Sequence, residues 1–170
     1  EYIKEQAVAG KLGTKLLAVV VEGKRERLYI DPTLEQSDAA NVSVEPEVRQ
    51  PIAAPLANDP RNLWCLRYGL DHFDKLFTAR QLSVLGKLCK VAIEAADNCK
   101  SQLRKDGLEE SYCEQYAKAI LVYLSLSIGK LADYSNTLCA WNPTNQNIGH
   151  LFTKQAIPMT WDFVEANVLD

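Results

Sequence analysis

The sequence predicts a mainly α fold: a long antiparallel helical hairpin with short helices around it and a β-hairpin near the N-terminus. Two stretches, 82–103 and 113–131, repeat apolar residues at helical spacing with only Asp106-Gly107-Leu108 as a break between them. A third, "TKLLAVVVEGKRERLYI" at 14–30, carries two strand-like runs around Glu22-Gly23. With 170 residues, 47% of them hydrophobic, the chain is long enough to bury one core. Four regions follow: an N-terminal helix and β-hairpin (1–31), a proline-rich acidic connector (32–62), a helical module (63–141), and a polar loop with a short C-terminal helix (142–170).

At the N-terminus, "EYIKEQAVAGKLG" reads as a short charged helix ending before Gly13. In the β-hairpin, Gly23 is expected to supply the positive φ of a tight turn. On the return strand Arg25, Arg27 and Tyr29 alternate with Glu26, Leu28 and Ile30, so one face is basic and aromatic. Asp31-Pro32-Thr33 ends the pairing, since proline lacks an N–H. The connector holds Pro32, Pro46, Pro51, Pro55 and Pro60 and is read as extended, with one short helix near 33–40.

The first long helix has a well-marked start. Thr78-Ala79-Arg80-Gln81 fits a capping box: Thr78 accepts from the Gln81 N–H, and the Gln81 side chain reaches back to the Thr78 N–H. Phe77 and Leu82 stand where a hydrophobic staple places its two members. Leu82, Leu85, Cys89, Ala92, Ala96, Cys99 and Leu103 make its apolar stripe. Lys100, Arg104 and Lys105 lie at its negative end, and Gly107 suits a left-handed terminator. The second helix is expected from about Leu108, with Cys113, Tyr116, Ala117, Ile120, Leu121, Leu124, Ile128 and Leu131 inward. "WNPTNQNIG" follows as a polar loop, and "AIPMTWDFVEA" as a short helix with Pro158 in its first turn. Phe152, Met159, Trp161 and Phe163 are expected as core anchors.

The net charge of −3 is too small to name a partner class, but its distribution is uneven. Residues 1–30, 31–60, 61–107 and 108–170 carry +2, −5, +4 and −4, enough for a polarised surface. The five cysteines are odd in number with no C-x-x-C pair, and read as reduced thiols of a cytoplasmic protein. No apolar span is long enough for a membrane helix.

Catalytic chemistry is sparse. No phosphate-binding glycine motif occurs. The carboxylates are scattered, and Asp162 and Glu165 share a helix face only by spacing. His72 and His150 lie in unrelated contexts. The strongest nucleic-acid candidate is the hairpin tip, where Lys24, Arg25 and Arg27 can meet phosphates. The same charges also suit a solvated edge that discourages strand pairing. Arg80 and Lys87, seven apart on one helix, form either a second phosphate-facing pair or a solvated face. Asp133, Tyr134, Asn136 and Trp141 cluster where the second helix ends, as a hydrogen-bond network or as a surface for a base or cofactor.

Four blocks in order, "GKLGTKLLAVVVEGKRERLYIDPT", "YGLDHFDKLFTARQL", "YLSLSIGKLADYSNTLCAW" and "FTKQAIPMTWDFVEAN", make the chain resemble the large adenine-specific DNA methylases with an embedded zinc ribbon. The resemblance spans nearly the whole chain and is weakest over 35–58 and 89–112. It implies a parent protein that transfers a methyl group from S-adenosylmethionine to the adenine exocyclic amine. The family's Asp-Pro-Phe-x-Gly-Gly-Gly cofactor motif, Asp-Pro-Pro-Tyr catalytic motif and zinc-ribbon cysteine pairs are missing here; Asp59-Pro60-Arg61-Asn62 is only superficially similar to the catalytic tetrapeptide. The chain therefore looks like an internal segment, without catalytic, cofactor-binding or metal residues of its own. S-adenosylmethionine and zinc belong to the parent, and the partners implied are the rest of the methylase chain and duplex DNA. A methylase must extract its target base, so an inserted segment of this kind grips backbone and reads flanking bases. Lys24, Arg25, Arg27 and Arg80 are the expected grip, and the loop around Asn145 and Asn147 the expected reader. Phe77, Thr78, Gln81, Asp133, Tyr134, Trp141 and Trp161 are expected in structural roles. The alternative is a helical module that braces the catalytic domain or a dimer without touching DNA.

Overall fold

A computed structural model describes residues 1–59, 61–153 and 155–168. In chain order come α1 (Tyr2–Val8), β1 (Val19–Glu22), β2 (Arg27–Ile30), α2 (Leu34–Ala39) and α3 (Pro46–Arg49). These are followed by α4 (Ala79–Lys105), α5 (Glu110–Tyr134), β3 (Ala140–Asn142) and β4 (Asn147–Gly149). Tight 3-10 turns occupy Gln50–Ile52, Trp64–Tyr68, Phe73–Leu76 and Leu151–Thr153. The architecture is mainly α, with α4 packed on α5 and the β1–β2 hairpin near the N-terminus, as the sequence predicts; a second antiparallel hairpin, β3–β4, stands where a polar loop was expected.

The capping box forms. Gln81 N donates to Thr78 Oγ1 at 3.2 Å, and Thr78 N donates to Gln81 Oε1 at 2.8 Å. Both residues are buried, so the cap is an interior feature rather than a solvated one. Phe77, just before it, packs on the core. At the other end Gly107 adopts φ +82°, and Leu108 N donates to Leu103 O at 3.2 Å. α5 starts at Glu110 rather than at Leu108, because Glu109 is its extended N-cap residue, whose carbonyl accepts from Cys113 N at 3.0 Å. A second capping box, Thr33 with Gln36, starts the short helix α2.

The α4–α5 seam is built largely from small side chains: Ala92 and Ala96 on one helix, Cys113 and Ala117 on the other, with Leu82 at one end. Small residues let the helix axes approach closely, yet they bury little apolar area. The expected stripes need correction at two positions: Cys89 is exposed, and Tyr116 is 45% exposed. Charges stitch the tip of the hairpin. Lys100 Nζ lies 2.9 Å from Glu114 and 3.2 Å from Glu110, and the Arg104 guanidinium also donates to Glu110.

The main core sits at the other end of this hairpin. Leu56, Cys65, Leu76, Leu138 and Leu151 are buried together, with Leu63, Leu66, Leu70, Phe77 and Ile157 against them. Each fully buried leucine contributes roughly 1.5–3 kcal/mol. Leu56 comes from the connector, so that segment is part of the fold and no mere spacer; Pro60 within it lies outside the described residues. Backbone bonds tie the strands of this core: Trp64 N donates to Ile157 O (3.0 Å), Ile157 N to Asn62 O (2.7 Å), and Thr137 N to Leu76 O (2.8 Å).

Three sequence expectations are corrected here. The C-terminal helix does not form: the described residues from 155 to 168 contain no helix. Ile157 precedes a proline and is biased to extended backbone, where it bridges Leu63, while Ala140 bridges Phe163. Trp161 and Phe152 are not core anchors, being 57% and 63% exposed; the Trp161 ring meets Tyr68 edge-on at 5.2 Å. Gly23 has no positive φ. Its requirement is proximity, since a Cβ there would lie 2.5 Å from the Glu26 carbonyl oxygen that accepts from Gly23 N.

Candidate nucleic-acid interface

The β1–β2 register pairs Val19 with Ile30 and Glu22 with Arg27, leaving residues 23–26 as the turn. Period-two alternation puts Arg27 and Tyr29 on one face of β2. That face meets Trp141 of β3. Tyr29 Oη accepts from Trp141 Nε1 at 2.8 Å, the two rings meet edge-on at 6.2 Å, and the Arg27 guanidinium lies 5.6 Å from the Trp141 ring centroid. The two hairpins are therefore joined by one aromatic–cation contact.

Each turn begins within a residue or two of that contact. On one side Lys24 and Arg25 are exposed, and neither has a carboxylate within ion-pair distance among the described residues. On the other side Asn142 Oδ1 accepts from Thr144 N and Asn145 N at 3.1 Å, shaping the 143–146 turn, in which Gln146 has φ +50°. Asn145 and Asn147 are exposed on that turn. Of the expected grip and reader residues, Arg27 meets Trp141, Lys24 and Arg25 lie on the adjoining β1–β2 turn, and Asn145 and Asn147 lie in the β3–β4 hairpin.

Arg80 is committed elsewhere. Its Nε and Nη2 donate to both carboxylate oxygens of Glu165 at 2.6 Å, and Nη1 donates to Ala40 O at 3.0 Å. Glu165 also accepts from Thr78 Oγ1 at 3.2 Å. Three distant segments meet at this guanidinium, so Arg80 fastens the fold, and its Nε, Nη1 and Nη2 each already donate within the chain. Glu165 carries no helix with it, contrary to the spacing reading.

The end of α5 is the expected network. Asp133 Oδ1 accepts from Phe152 N at 2.9 Å. Buried Asn136 donates to Ala132 O and Asp133 O and accepts from Leu138 N. Tyr134 packs its ring against His150 at 5.1 Å. His150 Nδ1 lies 2.8 Å from Asp133 Oδ2, close enough for charge attraction, although the ring N–H is not aimed along that line and is left without an aligned acceptor. Trp141 stands outside this network, turned instead toward Tyr29. Sequence reasoning missed the Asp133–His150 contact, because the 16 intervening residues had to be folded back by β3–β4.

Burial pushes the Cys65 and Cys139 thiols above the ordinary range, which disfavours the thiolate at these two positions. His72 Nδ1 lies 2.7 Å from Asp71 and His150 Nδ1 2.8 Å from Asp133, and among the described residues neither ring hydrogen-bonds a cysteine. Among the described residues no three His, Cys, Asp or Glu side chains converge as a metal site requires. A cavity of about 180 Å³ beside His150 and a groove of about 250 Å³ between α4 and α5 are both mainly apolar in their walls. No helix among the described residues is long and apolar enough to cross a membrane. No family model, curated protein or solved structure matches this chain.

Proposed function

We propose that this chain is an internal, non-catalytic segment of an S-adenosylmethionine-dependent, adenine-specific DNA methyltransferase, and that its two hairpins form a surface for duplex DNA. The family reading rests on the four ordered sequence blocks. The DNA reading rests on one observation: Trp141 locks Arg27 and Tyr29 so that the Lys24-Arg25 turn and the Asn145–Asn147 turn spring from one contact. Cationic side chains on a ribbon tip suit backbone phosphates, while amide side chains suit base edges. The methyl-transfer chemistry belongs to the rest of the parent chain, with a cytoplasmic location.

Titration of the chain with fluorescent duplex DNA over a range of salt tests this. Each phosphate contact contributes about −0.9 to the slope of log K against log salt. Lys24→Ala/Arg25→Ala is expected to weaken binding and flatten the slope by about 2. Wild-type binding that is absent, or a slope unchanged in a folded double variant, defeats the DNA reading. A second reading, a helical module bracing the catalytic domain or a dimer without DNA contact, is favoured by large apolar side chains left exposed on α5, including Tyr123 at 74% and Leu126 at 66%. It predicts no salt-sensitive binding at all.

A further inference from the structure

The outer face of α5 carries an apolar stripe that the fold leaves bare. At 100° per residue, Tyr112, Tyr116, Ala119 and Tyr123 fall within about 60° of one another, with Leu126 at their margin. The tyrosines are 50%, 45% and 74% exposed and Leu126 66%. Tyr112 and Tyr116 already stack on each other, 5.9 Å between ring centroids. This face lies to one side of the buried stripe of Cys113 and Ala117 that meets α4, so packing within the chain does not cover it.

We infer that this face is a two-fold seam with a second copy of the same chain, α5 against α5 in antiparallel order. The stripe is complementary to its own reversal. With the two-fold axis between Ala119 and Ile120, antiparallel pairing sets Tyr116 of one copy against Tyr123 of the other and Tyr112 against Ser127. At the ends it sets Glu109 against Lys130, a carboxylate against an ammonium, twice by symmetry. Both end groups are exposed; Glu109 is the N-cap residue of α5 and its carboxylate also accepts from Ser111 Oγ at 2.8 Å. Glu110 and Glu114 are held by Arg104 and Lys100 on the α4 side. Ala119, the smallest residue of the stripe, falls where the axes cross and permits close approach. With roughly 150–250 Å² for a whole aromatic side chain, the three tyrosines alone present on the order of 300–400 Å², a large part of the roughly 800 Å² per partner that a stable interface buries.

Lys130 has local contacts of its own, 3.8 Å from Asp133 and over the Tyr134 ring at 4.7 Å. They leave its ammonium 64% exposed as a side chain and able to meet a second partner.

The test is the mass of the chain in solution by sedimentation equilibrium over a hundred-fold concentration range. Wild type is expected as a concentration-dependent dimer, and Tyr123→Glu as a monomer with an unchanged helical circular dichroism spectrum. Charge exchange reads the register. Glu109→Lys and Lys130→Glu each weaken association about ten-fold, and the double exchange restores it, because only an antiparallel seam brings these two positions together. A monomeric wild type overturns the inference, and so does a dimer indifferent to Tyr123→Glu or one that the double exchange fails to restore. The outcome is separable from the DNA reading, since Lys24 and Arg25 lie on the β1–β2 turn, outside the proposed seam.

Discussion

Replacing Arg80 by alanine separates two roles for one side chain. The guanidinium donates to both oxygens of Glu165 and to Ala40 O, and the two side chains of the ion pair are 27% and 22% exposed. Removing it leaves Glu165 with Thr78 Oγ1 as its remaining donor among the described residues and frees a carbonyl of the connector. Hydrogen bonds to charged groups contribute about 1.5–3 kcal/mol, and partial exposure discounts the charge term, so the expected loss is about 2 kcal/mol. With a urea slope of about 1–3 kcal/mol/M, the unfolding midpoint should fall by about 1 M. The informative measurement is a double-mutant cycle with Glu165→Gln, where a coupling of about 1–2 kcal/mol is expected. Coupling within about 0.3 kcal/mol of zero would refute the fastening role. So would an Arg80→Ala protein of undiminished stability that no longer binds DNA, which would return Arg80 to the phosphate-contact set.

Other outcomes follow from the same geometry. Arg104, and after it Lys100, hold the Glu110 carboxyl at about 2, well below its ordinary 4.5. A depressed folded-state value stabilises fully above about pH 4.5 and is lost as pH falls toward 2, so Glu110→Gln should flatten the acid side of the stability profile in that window, measured as urea midpoint against pH. Leu82, 1% exposed, should cost about 2–5 kcal/mol when cut to alanine, read from the same denaturation curves. Thr78→Ala removes the helix cap together with a Glu165 donor and should cost about 1–2 kcal/mol. Gly23→Ala must displace the Glu26 carbonyl and should disturb the Val19–Ile30 strand pairing, visible as lost cross-strand amide contacts in NMR.

Much of the scaffold was readable because its signals are local. The Thr78–Gln81 box, the Gly107 stop and the short break after it lie within a few residues of the helices they define. What escaped depends on distant partners. Nothing near Arg80 in sequence announces Glu165, 85 residues away. The 155–168 segment has helix-compatible spacing, yet its backbone groups are claimed by Asn62, Trp64 and Cys139, and tertiary pairing overrides propensity. In the candidate interface, alternation along β2 correctly placed Arg27 with Tyr29, while their shared partner Trp141 was assigned to the wrong neighbourhood because it turns away from the helix it follows.

The fastening at Arg80 also orders events in time. The α4–α5 pair is made of neighbours in sequence and can form as soon as residue 134 has been synthesised. Its buried starting turn, however, is sealed by Glu165, and the leucine cluster beneath it needs Ile157. Until those last residues leave the ribosome, a finished helical hairpin stands on an open base. The nascent chain passes through a stage in which its tip is native and its root exposes apolar surface to chaperones.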